Sequence, residues 1–207
     1  KVLITAGGTR EAIDPVRFIG NKSSGKQGIA LANAAKNRGA DVTLIAANCE
    51  TSHLKDMKVV SVESTEQMQK ALNSHFEECN ILIMSAAVAD ARPVQRSDEK
   101  IKKASLLNLE LEPNPDLLAE LAPRKGGRIM VGFAAETERL SEYAHDKRKR
   151  KGIPMLIGNL AQHVMDADHT TVSIFDDQGE HPIPTNAKQD VARQLIAAIA
   201  ARLPGKR

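Results

Sequence analysis

The sequence predicts an α/β protein, a doubly wound, mostly parallel sheet in three layers with an added antiparallel strand or loop element. Three observations carry this. Short apolar runs alternate with helical patterns along the whole chain. The run at 81–85 is apolar through Ile81, Leu82, Ile83 and Met84, as in a central strand covered on both faces. The chain is 42% hydrophobic but only 2% aromatic, with four Phe, one Tyr and no Trp, so its core must be aliphatic. At 207 residues, without repeats or a low-complexity linker, one domain over 1–207 is expected.

The elements follow in order. Residues 2–5 are a buried strand, and 25–38 a helix with Ile29, Leu31, Ala32, Ala34 and Ala35 inward, stopped by Gly39. Strands follow at 41–46 and 58–62. A helix at 65–78 spaces Met68, Leu72 and Phe76 at every fourth position. After the strand at 81–85, residues 107–111 alternate and predict an edge or antiparallel strand. A short helix at 115–122 has Pro115 near its first position. Strands at 129–133 and 155–158 flank a helix at 140–151. Residues 171–175 are β-branched and predict a strand, and Asp177-Gln178-Gly179 turns it into a partner around 181–183. An Ala-rich helix at 187–203 closes the chain.

Composition narrows the function. Five aromatic rings are few for a platform that stacks single-stranded bases or sugars. The 29 basic and 26 acidic residues leave a net charge of +3, too mild to imply a nucleic-acid partner. Cys49 and Cys79 form no CxxC pattern and read as reduced thiols of a cytoplasmic protein. The longest apolar run is too short to span a bilayer, so no membrane partner is expected. The chain opens at Lys1 with no initiator Met, so a segment upstream is expected.

In a doubly wound sheet, ligands bind at the carboxyl ends of the strands. After the first strand comes Thr5-Ala6-Gly7-Gly8-Thr9-Arg10-Glu11, whose glycines either close a turn or let backbone N–H groups approach a phosphate. GxGxxG is absent. A long connection then holds Asp14, Arg17, Phe18, Asn21 and Lys22, and Ser23-Ser24-Gly25 opens the helix. Serine there is either an N-cap or, with Lys22 or Lys26, part of a polyphosphate site; no Walker A loop is matched. Ser85-Ala86-Ala87-Val88-Ala89-Asp90 follows the central strand; its small residues either pack closely or let a base and ribose lie on the backbone beside Asp90. Lys100, Lys102 and Lys103 lie on a long loop, either a solvated surface or a lid that brings cations to a phosphate. Phe133 ends a strand, as core or as a stacking ring. Lys147 and Lys151 share a helix face, either solvated or as phosphate ligands.

The segments TAGGTRE (5–11), DPVRFIGNKSSGKQG (14–28), SAAVAD (85–90), EKIKK (99–103), NPD (114–116), GFAAET (132–137) and KRKRK (147–151) stand in the order of one family. The chain resembles phosphopantothenoylcysteine synthetase, or phosphopantothenate–cysteine ligase, of the bacterial CTP-dependent type. That resemblance implies a Rossmann-like fold and a role in coenzyme A biosynthesis. It implies that 4'-phosphopantothenate attacks the α-phosphate of CTP, releasing pyrophosphate, and that the acyl-cytidylate reacts with the amine of L-cysteine, releasing CMP. By resemblance Asn21, Lys100 and Arg17 are catalytic. The nucleotide pocket comprises Gly8, Ser23, Ser24, Met84, Ser85, Ala86, Asp90, Lys100, Pro115, Asp116, Leu117, Leu118, Phe133, Lys147 and Lys151. Mg²⁺ is expected with CTP, though no residues are assigned to it. A homodimer, and a flavin-dependent decarboxylase domain on the amino-terminal side, are implied in the same way.

Two other readings compete. Tyr143 and Lys147 spell the YxxxK of short-chain dehydrogenases, but the glycine pattern near residue 7 is wrong for that family. The KRKRK helix could serve a nucleic-acid or protein-interaction module, which the low net charge and scarce aromatics disfavour.

Overall fold

The structure is a computed structural model, and it describes residues 1–54, 56–102, 108–136, 139–160 and 169–203. An eight-stranded sheet runs through its centre in the order β12-β11-β10-β9-β6-β1-β4-β5. These strands are β1 (Val2–Gly7), β4 (Val42–Ala47), β5 (Lys58–Val62), β6 (Ile81–Met84), β9 (Ile129–Glu136), β10 (Met155–Leu160), β11 (His169–Asp176) and β12 (Gly179–Ala187). The strands from β5 across to β10 pair in parallel, and the β11–β12 hairpin adds an antiparallel edge. The mostly parallel α/β fold expected from the sequence is the fold observed.

Alternate residues of each strand feed two cores. Val2, Ile4, Val42, Leu44, Ile81, Ile83 and Val131 meet α1 (Lys26–Asn37) and α5 (Lys188–Ala200) on one face. Leu3, Ile45, Leu82, Met130 and Leu156 meet α2 (Thr65–His75), α3 (Leu117–Leu121) and α4 (Leu140–Lys151) on the other. Such double coverage explains why these strands read as continuous apolar runs. Phe76 and Phe175 are fully buried, and both belong to the core on the α2–α4 face. Both cysteines are free thiols.

Gly28 allows α1 to lie close on β1: a Cβ there would stand 2.6 Å from the Cβ of Ala6. Gly39, at φ +83°, follows the α1 C-cap Arg38, as the stop signal predicts.

Several boundaries differ from the sequence reading. The expected strand at 107–111 is found instead as β8 (Leu111–Pro113), antiparallel to β7 (Ala91–Pro93); residue 107 lies outside the described residues. Pro113 pairs with Ala91 as a terminal residue of a short ladder, where a missing N–H costs little. The long connection after β1 contains a hairpin, β2 (Arg10–Ala12) and β3 (Phe18–Gly20), that the sequence did not suggest. Helix α2 ends at His75 and continues as a 3₁₀ turn over Phe76–Glu78. The N-cap of α1 is Gly25 at φ +75°, not a serine. Asp116 caps the shorter α3, and α5 ends at Ala200 rather than at 203. β11 and β12 extend beyond their expected ends because they pair with each other along most of their length.

Candidate functional site

The chain leaves β1 for β4 and β5 on one side, then returns through α2 to β6 on the other. The gap between the carboxyl ends of β1 and β6 is therefore the topological switch point, where open α/β sheets bind ligands. Here Gly8 bridges Ala87, with Thr9 N donating to Ala87 O over 3.1 Å and Ala87 N donating to Gly7 O over 2.9 Å. A Cβ on Gly8 would lie 2.9 Å from Asn21 O and 3.4 Å from Ser23 Cβ. The segment after β3 thus crosses directly over Gly8, and only glycine admits the approach.

Asn21 is exposed and donates from Nδ2 to Val88 O over 3.1 Å. Gly8, Asn21, Ser23 and the 85–90 loop, expected together from sequence, are brought together. Thr5 Oγ1 accepts from Ala86 N over 3.1 Å and so fixes where that loop leaves the sheet. Ser24 and Lys26 line a groove of about 950 Å³ that runs along α1 to Asn37 and is closed by the start of α5.

The hairpin and the lysine loop are tied by one carboxylate. Asp14 accepts from Val16 N and Arg17 N at 2.8 and 2.9 Å, from Arg17 Nη2 at 2.5 Å and from Ile101 N at 3.2 Å. Arg17 Nη2 also donates to Ile101 O over 2.7 Å. Burial alone would raise the Asp14 carboxyl, but the hydrogen bonds from Val16, Arg17 and Ile101 outweigh it and hold the pKa at about 2. Both backbone polar groups of Ile101 are thereby pinned beside Arg17, and Lys100 leaves from a fixed point of the loop. Arg17 itself is engaged with Asp14 and Ile101. Sequence reasoning assigns Asp14 no role of its own, although the Asp-Pro pair is a turn signal that marks such a carboxylate.

On the α2–α4 face, Lys151 Nζ donates to Asp116 Oδ2 over 2.6 Å. Burial would raise the Asp116 carboxyl, but Lys151 and the Ala119 N–H prevail and lower it. Met84, Leu117 and Leu118 are buried in the core of that face. Asp90 is exposed, Ser85, Pro115 and Lys147 are half-buried, and Lys100 is exposed. Phe133 is half-buried against the core of the opposite, α1–α5 face. The expected nucleotide residues therefore divide between both faces of the sheet.

A model of the DNA/pantothenate metabolism flavoprotein C-terminal domain matches residues 1–203. The chain belongs to that family. Members of this family known as coenzyme A biosynthesis bifunctional protein CoaBC are similar along the chain's length. The Escherichia coli (strain K12) protein is 38% identical over 213 residues, 99% of this chain and 52% of that protein. The Bacillus subtilis (strain 168) protein is 40% identical over 206 residues, 97% of this chain and 51% of that one. This family domain thus spans about half the length of the curated relatives it matches. Among solved structures, the C-terminal domain of a CoaBC superposes with a TM-score of 0.84 at 35% identity, covering 98% of this chain and 94% of that one. A mutant Cab2 in complex with phosphopantothenate-cysteine shares the fold, with a TM-score of 0.83 at 20% identity, covering 97% of this chain and 85% of that one.

Proposed function

We propose that this domain is a phosphopantothenate–cysteine ligase of coenzyme A biosynthesis that uses CTP. The observation that carries the reading is the similarity of 97–99% of the chain to CoaBC proteins. A carboxylate oxygen of 4'-phosphopantothenate attacks the α-phosphorus of CTP, the bond to the β-phosphate oxygen breaks, and pyrophosphate leaves. The cysteine amine then attacks the acyl carbon, CMP leaves, and the amine sheds a proton. Activation is required because a free carboxylate is a poor acyl donor.

In this reading Asn21 binds the acyl oxygen with a neutral amide, which does not discharge the attacking carboxylate. Lys100 stabilises the negative charge that builds on the phosphate. Arg17 serves chiefly by holding Ile101 and hence the Lys100 loop. Ser23 and Ser24 present hydroxyl donors to the triphosphate beside Gly8, whose own N–H is taken by Ala47 O over 3.0 Å, and Ser85, Ala86 and Asp90 take the nucleoside. The triphosphate brings its own Mg²⁺, a cation that keeps several waters and binds through substrate phosphates.

The same reading expects a flavin-dependent decarboxylase domain joined to this one, in line with the bifunctional name of the relatives. It expects a homodimer, which is supported by exposed Val16 and Phe18 on the β2–β3 segment and Val94 and Leu111 beside and on the β7–β8 hairpin. A cytoplasmic setting is also part of the proposal; no helix among the described residues is long and apolar enough to cross a membrane.

The test mixes the protein with Mg²⁺, 4'-phosphopantothenate, L-cysteine and either CTP or ATP. Release of pyrophosphate and CMP with formation of the amide is the expected result. No product with either nucleotide overturns the reading, and turnover with ATP but not CTP overturns its choice of nucleotide.

A further inference from the structure

We propose that Thr65, oriented by the buried carboxylate of Glu11, is a positioning residue that sets the spacing between two parts of the nucleotide pocket; this rests on the ligase reading above. Thr9 and Thr65 are fully buried and Glu11 is 5% exposed. Glu11 Oε1 receives two bonds from Thr65, one from its N–H at 2.9 Å and one from its hydroxyl at 2.7 Å. Because the Thr65 hydroxyl donates to Glu11 Oε1, its single proton is committed to Glu11. The Thr65 oxygen is then purely an acceptor towards its other neighbours. It takes Asn114 Nδ2 at 3.2 Å, and its 3.3 Å contact with Thr9 Oγ1 has one possible polarity, with Thr9 donating.

That polarity reaches the pocket. Thr9 Oγ1 accepts from Ala89 N over 2.8 Å, and Asn114 Nδ2 donates to Ala89 O over 2.9 Å. Both backbone polar groups of Ala89 are therefore held from the one hub. Asn114 N donates to Asp90 O over 2.8 Å, which locks the next peptide as well. Ala89 immediately precedes Asp90, and Asn114 immediately precedes Pro115 and Asp116, all three expected at the nucleotide. None of the hub residues was itself expected to touch it. Glu11 also sits at the start of α2, where the helix dipole favours its charge. A buried network of this kind is stiff while every partner is present and costly once one is removed.

The test compares Thr65→Val, which keeps the shape but removes the hydroxyl, with Thr65→Ser, which keeps the hydroxyl. In steady-state ligation Thr65→Val is expected to raise the KM for CTP by about tenfold, with kcat and the KM for cysteine changed by less than about threefold. Thr65→Ser restores the wild-type KM. Asn114→Ala, should the valine variant not fold, is expected to raise the same KM. A wild-type KM for CTP in Thr65→Val or Asn114→Ala, or a serine variant as impaired as the valine one, overturns the proposal. Should the wild-type protein release no pyrophosphate from CTP, the CTP-ligase reading fails on its own. Positioning is then read by hydrogen exchange at the Ala89 and Asn114 amides. Protection lost in Thr65→Val and kept in Thr65→Ser supports the hub, and unchanged protection in both overturns it.

Discussion

Asp116 receives Lys151 Nζ on one carboxylate oxygen at 2.6 Å and Ala119 N on the other at 3.1 Å. One side chain thus caps α3 and anchors the last turn of α4. Asp116→Ala is expected to cost about 1–2 kcal/mol, mostly the lost cap, with a discount for the exposed ion pair. Lys151→Met, which leaves the cap in place, should cost under about 1 kcal/mol. Urea midpoints at neutral pH measure both, and equal losses would refute the division.

Stability should fall as the solution is made acid. Asp14 and Asp176 both have pKa values held at about 2, below the ordinary 3.8. For Asp176, burial alone would raise the pKa, but the bonds from Arg202, His181 and Gln178 outweigh it. A carboxyl whose pKa is lower in the folded state contributes fully above its unfolded value and loses that contribution as pH falls through its folded one. The window is therefore between about pH 4 and pH 2. Asp14→Asn and Asp176→Asn should each flatten the slope of the unfolding midpoint across it, and an unchanged slope would deny these carboxylates the role.

Gly25 holds φ +75°, and a Cβ there would meet Cys49 Cβ at 2.7 Å and Sγ at 2.8 Å. Gly25→Ala should cost more than about 1 kcal/mol, from the backbone conformation and from the clash together. Adding Cys49→Ala removes only the contact with Sγ, so the double variant should recover part of the loss. Thermal unfolding of the two single variants and the double tests this, and full additivity would show that the thiol is not the obstacle.

Lys100→Gln is expected to lower kcat by at least about tenfold, with the thermal midpoint nearly unchanged, if its charge stabilises the transition state. Asn21→Asp places a negative charge beside the attacking carboxylate and sets an acceptor against Val88 O, so turnover should fall by at least about a hundredfold. Pyrophosphate release measures both, and a near-normal rate for either removes that residue from the chemistry.

Phe133 sits on the α1–α5 face while Asp116 and Lys151 sit on the other. Phe133→Leu separates two roles for the ring. Weaker CTP binding at unchanged stability marks it as a stacking ring, as the ligase reading expects. Unchanged affinity with a loss of about 1 kcal/mol marks it as core alone.

Much of the architecture is a local property of the sequence. Residues 81–84 read as a doubly covered strand because every side chain there is apolar, and 140–151 read as a helix with its observed ends. The β2–β3 hairpin was not legible. Phe18 and Gly20 of β3 are exposed, so no buried alternation marks that strand, and Gly8 is required by the backbone of Asn21 rather than by its own turn. The strand expected at 107–111 lies later because Pro113 and Leu111 find partners in Ala91 and Pro93. Pairing of that kind depends on a segment far away in the chain.

By itself the sequence determined the alternating α/β order, the aliphatic cores and the family motifs, all carried by short-range periodicity and residue chemistry. Tertiary structure alone decided which motifs meet. Hydrogen-bond direction and close backbone approach are set by neighbours remote in sequence. Thus Asp14 came to hold Ile101, Gly8 to lie beneath Asn21, and Thr65 to join Glu11 to Asn114.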